Sequence, residues 1–127
     1  MGNKILVVDD EEDMVGLTKK ILELEGYDIT IARSGRECLE KIDGSDFDLV
    51  LLDIMMPGMS GWEVFDKIQE KKSDSKVVFV SILDISEKRK SHLMVQGLAG
   101  YIKKPFSDDE LVETVNDILS EKQIKAA

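Results

Sequence analysis

The sequence predicts an α/β fold: a doubly wound, five-stranded parallel sheet of order 2-1-3-4-5 with five helices. Three observations predict it. Short apolar runs alternate strictly with longer stretches in which apolar residues recur at helical spacing. The runs at 5–8, 49–52 and 77–80 are apolar throughout rather than alternating, which suits strands buried on both faces of a parallel sheet. Capping boxes, a Ser followed three residues later by Glu, open several of the helical stretches. Right-handed crossovers then put helices on both faces, and the crevice of such a sheet lies at the carboxyl ends of its first and third strands. At 127 residues the chain is one domain with room for a proper core; 1–121 is the expected folded unit and 122–127 a frayed tail.

The elements follow in order. Lys4 to Val8 is the first strand, a β-branched run closed by Asp9 and Asp10. Met14, Leu17, Ile21, Leu22 and Leu24 recur at helical spacing, so the first helix spans Glu12 to Glu25 and Gly26 stops it. Tyr27 to Ala32 alternates and reads as an edge strand. Ser34 and Glu37 box the start of a helix to Ile42, with Cys38, Leu39 and Ile42 inward. Asp43 to Asp48 loops to the central strand, Leu49 to Leu52, which ends on Asp53. Ser60 and Glu63 open the third helix, whose apolar face is Trp62, Phe65 and Ile68. Lys76 to Ser81 is the fourth strand. Asp84 to Glu87 reads as a further box, starting a helix through Val95. Gly97 to Gly100 is the turn out of it, and Tyr101 to Lys103 is a short fifth strand closed by Lys104 and Pro105. Ser107 and Glu110 box the last helix, with Leu111, Val115, Ile118 and Leu119 on its inner face.

Composition removes several function classes. Apolar residues make up 43% and charged residues 34%, as in ordinary globular proteins. A net charge of −9 argues against a general nucleic-acid surface and against an anionic membrane. No apolar run reaches the length of a membrane span, and the first residues lack the long apolar region of a signal peptide. One cysteine rules out an intrachain disulfide and a cysteine metal cluster. The expected location is cytoplasmic.

The chemistry collects at the strand ends. Asp53 closes a strand buried on both faces, where a lone carboxylate has no packing reason to be and needs a cation, hydrogen bonds, or both. Asp9 and Asp10, Ser81 and Lys104 close the neighbouring strands, so all five meet on one sheet edge. Carboxylates held together raise one another's pKa values. Oxygen ligands without His or Cys suit a hard cation, Mg²⁺ or Mn²⁺, with positions left for water and phosphate oxygens. Lys104 adds positive charge and Ser81 a hydroxyl donor, a set that suits phosphoryl transfer to a carboxylate nucleophile. Glu11 to Asp13 read instead as acids favoured by a helix N-terminus. Cys38 and the methionines at 55, 56 and 59 read as packing, His92 as surface, and Glu87 to Lys90 as a solvated face that could also dock a partner.

Four motifs stand in order at the strand ends: ILVVDDE at 5–11, LLDIMMPGMSG at 51–61, VSI at 80–82 and GYIKKPF at 100–106. Together they resemble a two-component response-regulator receiver domain of the flavodoxin-like, chemotaxis-receiver-like superfamily, along essentially the whole chain. The resemblance implies a signalling switch, a phosphoprotein rather than an enzyme acting on outside substrates. Asp53 would accept phosphate from a sensor histidine kinase or phosphotransfer protein. Asp10, Asp53 and the Met55 backbone carbonyl would ligate Mg²⁺, with Asp9 acting through water. Lys104 would pair with Asp53 and then with phosphoryl oxygens, and the Lys104–Pro105 peptide would be cis. Ser81 would move toward the phosphoryl group and Tyr101 rotate inward, remodelling the face of the fourth helix, fifth strand and last helix for a downstream output protein or domain.

One departure carries an expectation of its own. Ile82 and Leu83 follow Ser81 where the family usually has a small residue first, and Met55 is also apolar. They are expected to wall off the site from water and prolong the phosphoryl group's life. Two competitors remain. A haloacid-dehalogenase-like phosphatase would need an Asp two residues after the nucleophile, where Met55 stands. The complete acid set argues against a protein-binding module that never takes phosphate, and Mg²⁺-dependent quenching of Trp62, the single tryptophan, would argue further against it.

Overall fold

β-Branched and leucine-rich runs form five parallel strands in the order β2-β1-β3-β4-β5. In the computed structural model, residues 3–71 and 74–126 are described, the side chains of 121–126 aside. The elements alternate without exception: β1 (Lys4–Val8), α1 (Glu12–Leu24), β2 (Asp28–Ala32), α2 (Gly35–Gly44), β3 (Leu49–Leu52), α3 (Gly61–Glu70), β4 (Lys76–Ser81), α4 (Glu87–Val95), β5 (Leu98–Lys103) and α5 (Asp108–Ala126). The expected tail at 122–127 falls on residues whose side chains lie outside those described.

The sheet separates two cores because side chains alternate along each strand. Leu6, Val8, Val50, Leu52, Val77 and Phe79 face one way and pack with Cys38, Val64, Phe65, Ile68 and Leu93 from α2, α3 and α4. Ile5, Val7, Leu49, Leu51, Val78 and Val80 face the other way and pack with Val15, Ile21, Leu22, Leu111, Val115, Ile118 and Leu119 from α1 and α5. The central strand β3 is buried at every position, as its unbroken apolar run predicts. Phe79 has no exposed surface and meets Trp62, Phe65 and Tyr101 edge-on, with ring centroids 5.1, 5.5 and 6.4 Å away.

Local structure departs from the sequence expectation where tertiary contacts decide. In α1 the buried stripe is Val15, Thr18, Ile21 and Leu22, while Leu17 and Leu24 face solvent. The helix ends at Leu24, with Glu25 as its C-cap, and β2 starts at Asp28 rather than Tyr27 because that is where the ladder to Lys4 begins. Helix α2 runs on past Ile42 to Gly44. Asp84 does not cap α4: it pairs with Lys103 at 3.1 Å, and Ser86 caps the helix by accepting from the Arg89 N–H at 3.1 Å. β5 begins at Leu98, not Tyr101, and Gly100 lies within it opposite Val78. Ala99 and Gly100 have little strand propensity of their own; the ladder to β4 and burial of Leu98 draw them in, with a register shift between Val77 and Val78. Gly97 turns the chain into that strand at φ +114°, under the Gln69 side chain of α3, whose amide donates to the Gln96 carbonyl at 2.8 Å.

Candidate functional site

Strand register builds the site. Val8 pairs with Leu52, so the next residues, Asp9 and Asp53, leave the sheet side by side, and the Asp53 N–H donates to the Val8 carbonyl at 3.0 Å. Ser81 pairs with Lys103, and the Lys104 N–H donates to the Ser81 carbonyl at 2.8 Å. The carboxyl ends of β1, β3, β4 and β5 thus deliver Asp9, Asp10, Asp53, Ser81 and Lys104 to one edge. The Lys104–Pro105 peptide is cis.

These groups are withdrawn from water: Asp9 is 4%, Asp53 5%, Ser81 0% and Lys104 6% exposed. Burial of charge at that depth requires pairing. The Lys104 ammonium lies 2.8 Å from Asp9 Oδ2 and 3.6 Å from Asp53 Oδ2. Burial works against its charge, but the Asp9 bond and the Asp53 charge outweigh burial and hold its pKa above the ordinary lysine value. Burial pushes the Asp53 carboxyl up to about 6; Lys104 opposes this, Asp9 adds to it, the Met55 N–H opposes it and Asp10 adds to it.

The three carboxylates differ in how much of their bonding is already committed. Asp9 uses both oxygens, Oδ1 accepting from the Glu11 N–H at 2.9 Å and Oδ2 from Lys104. Asp53 Oδ1 accepts from the Met55 N–H at 3.3 Å. Among the described residues, the half-exposed Asp10 carboxylate has no hydrogen bond. One carboxylate oxygen from each of Asp9, Asp10 and Asp53 falls within 4.8 Å of the others. Hard, anionic, oxygen-only donors at that separation fit Mg²⁺, with the Asp10 carboxylate the least committed of the three.

Ser81 Oγ accepts from the Leu83 N–H at 3.3 Å, and Tyr101 Oη donates to the Leu83 carbonyl at 2.5 Å. Tyr101 is half-buried in the α2–α4 core, with the Lys90 ammonium 5.3 Å from its ring centroid. Burial raises its pKa, the neighbouring Ser81 hydroxyl opposes, and the Asp84 and Asp53 charges add to the rise. The expected apolar wall divides: Met55 and Leu83 line one open depression of about 420 Å³ with Ile54, Met56, Pro57, Ser60 and Trp62, whereas Ile82 is 61% exposed outside it. Cys38 is buried, and burial pushes its thiol up to about 12, consistent with packing.

Sequence reasoning missed two residues that shape this edge. Gly61 abuts the backbone of the phosphoacceptor candidate, where a Cβ would stand 2.4 Å from the Asp53 carbonyl oxygen. Arg33, at the end of β2, places Nη2 3.2 Å from the Asp10 carbonyl. A Gly at the start of a capped helix was a usable signal for the first; nothing local marks the second.

The fold and this edge define a class of signalling domain, and comparison with known proteins agrees. The model for the response regulator receiver domain matches residues 5–116, and the chain belongs to that family. It is therefore a receiver domain of the two-component response-regulator type, a signalling switch, and receiver domains bind Mg²⁺. The chain is 37% identical over 116 residues to the response regulator SaeR of Staphylococcus epidermidis, covering 91% of this chain and 50% of that one. It thus spans about half the length of the curated relatives it matches. A CheY-like receiver domain protein from Methanospirillum hungatei superposes with a TM-score of 0.89 at 33% identity, over 98% of this chain and 99% of that one. TrrA from Thermotoga maritima, solved with Mg²⁺ and BeF, superposes with a TM-score of 0.79 at 40% identity, over 91% and 98%. Among the described residues, no helix is long and apolar enough to cross a membrane.

Proposed function

We propose that Asp53 is the phosphoacceptor of a Mg²⁺-dependent transfer from a histidine kinase or phosphotransfer protein. One observation carries the reading: a buried carboxylate grouped with two others within 4.8 Å and faced by a buried lysine at 3.6 Å. An Asp53 oxygen attacks phosphorus, the P–N bond of the donor's phosphohistidine breaks, and the imidazole leaves with the electron pair. Asp10, Asp53 and the Met55 carbonyl would hold the metal, with Asp9 acting through water, and Mn²⁺ could take its place because the donors are all hard oxygens. The metal neutralises phosphoryl oxygens when bound. Lys104, held by Asp9, pairs with Asp53 and then with a phosphoryl oxygen. The domain also catalyses its own slow dephosphorylation.

Ser81 leaves Leu83 for the new phosphoryl oxygens, and Tyr101, bonded to the same residue, follows. That biases the α4–β5–α5 surface toward an output protein or domain. Residues 1–121 act as the receiver unit, without direct nucleic-acid or membrane contact, in the cytoplasm. Intact mass after incubation with Mg²⁺ and acetyl phosphate tests the reading. The parent gains one phosphoryl group, Asp53→Asn gains none, and EDTA prevents the gain. No adduct on a folded, Mg²⁺-bound parent favours a pure binding module; steady phosphate release without adduct favours a phosphatase.

A further inference from the structure

Asp10 is the carboxylate with most bonding capacity to spare, so its placement matters most to a bound cation. Its side chain has no hydrogen bond among the described residues, and its backbone sits in the turn between β1 and α1. The Asp9 N–H donates to the Ala32 carbonyl at 3.1 Å where the turn leaves β1, and two further contacts flank Asp10. On one side, Asp9 Oδ1 accepts from the Glu11 N–H at 2.9 Å. On the other, Arg33 Nη2 donates to the Asp10 carbonyl at 3.2 Å, across a separation of 23 residues.

Arg33 is itself held. Its N–H donates to Glu37 Oε1 at 2.6 Å, while Ser34 Oγ accepts from the Glu37 N–H at 3.1 Å. A capping box normally returns the Glu to the N-cap's own N–H. Here the Glu reaches one residue further back, so the opening of α2 fixes the backbone of Arg33 and aims its side chain at β1. Glu37, Arg33 and Asp10 thus form a chain of contacts from α2 to the metal-binding edge.

We infer that Arg33 is a positioning residue for the divalent cation, an inference that rests on the metal reading proposed above. By bonding the Asp10 carbonyl it holds the Asp10 carboxylate where it can ligate. Its charge alone would have the opposite effect, since a guanidinium beside a cation site repels the cation. The two roles therefore predict opposite signs for removal of the side chain.

The test is a Mg²⁺ titration of the whole chain, followed by Trp62 fluorescence and by calorimetry, for the parent, Arg33→Ala and Arg33→Lys. Arg33→Ala is expected to weaken Mg²⁺ roughly tenfold, the low end of what loss of a ligand's outer partner costs. Arg33→Lys, which keeps a donor and the charge, is expected within about twofold of the parent. Melting temperatures in EDTA are expected to match across all three. Binding by Arg33→Ala as tight as the parent's or tighter overturns the inference, as does a weakening shared equally by Arg33→Lys. A parent that binds no Mg²⁺ by either readout removes the metal reading and this inference with it.

Discussion

Asp53 carries a conflict between function and stability. Burial pushes its carboxyl pKa up to about 6 in the fold against an ordinary 3.8. The folded state therefore keeps a proton in that window that the unfolded chain has released. This contribution to stability is full below the unfolded value and is lost as pH rises through the folded one. Without metal, the protein is expected to lose about 1–3 kcal/mol from this group as pH rises from about 4 to about 7. Asp53→Asn in EDTA is expected to be more stable than the parent at neutral pH and to lack that loss; urea titrations across pH measure both. Lys104 is the opposite case. Lys104→Ala strands the buried carboxylates and is expected to cost about 3–5 kcal/mol in EDTA, part of which Mg²⁺ returns. A melting temperature unchanged by that substitution would contradict the pairing described. Leu83 lines the depression beside Met55 and Ile82 does not. Leu83→Glu is therefore expected to shorten the phosphoryl half-life and Ile82→Ala to leave it, in a dephosphorylation time course.

Helices differ in how firmly they are held. α3 is locked to the site at its first residue: the Gly61 N–H donates to the Ile54 carbonyl at 2.8 Å, and a Cβ there would stand 2.6 Å from Ile54 Cα. Ile54 Cα and the Asp53 carbonyl oxygen, 2.4 Å from such a Cβ, are both backbone and cannot swing aside. Gly61→Ala is expected to cost about 1–3 kcal/mol. Gly16, exposed in the middle of α1 with nothing within 4 Å of a Cβ, gives the contrast. Gly16→Ala is expected to stabilise by about 0.5–1 kcal/mol, and urea melts of the pair measure both signs. α4 buries fewer residues than α1, α2 or α3. Among the described residues it buries only Leu93, and it is also held by the Gln69–Gln96 bond, by Arg89, 4.7 Å over the Trp62 ring centroid, and by Lys90, 5.3 Å from the Tyr101 ring centroid. Its amides are expected to exchange hydrogen faster than those of α3, as the proposed shift of this surface with the state of Asp53 requires. The boundaries of this region were the least legible in the sequence. Asp84 is a good N-cap by type, and only its pairing with Lys103 from β5 removes it from that role.

Across the whole molecule, the sheet is both wall and ruler. Its two faces give the helices separate cores, and its register sets which strand-end residues meet. Phe79 shows the consequence: one buried ring on β4 touches Trp62 of α3 and Tyr101 of β5. Strand and helix order, the unbroken burial of β3, the capped starts of α2, α3 and α5, and the gathering of Asp9, Asp10, Asp53, Ser81 and Lys104 at one edge were legible from the amino-acid order. Those features follow from local periodicity and from a topology with few alternatives, so neighbouring residues suffice to specify them. Tertiary structure alone decided where β5 begins, which residue caps α4, that Met55 and Leu83 share a depression without Ile82, and that Arg33 reaches Asp10. Each of these depends on a contact between residues far apart in sequence, whose energy exists only once the sheet has brought them together.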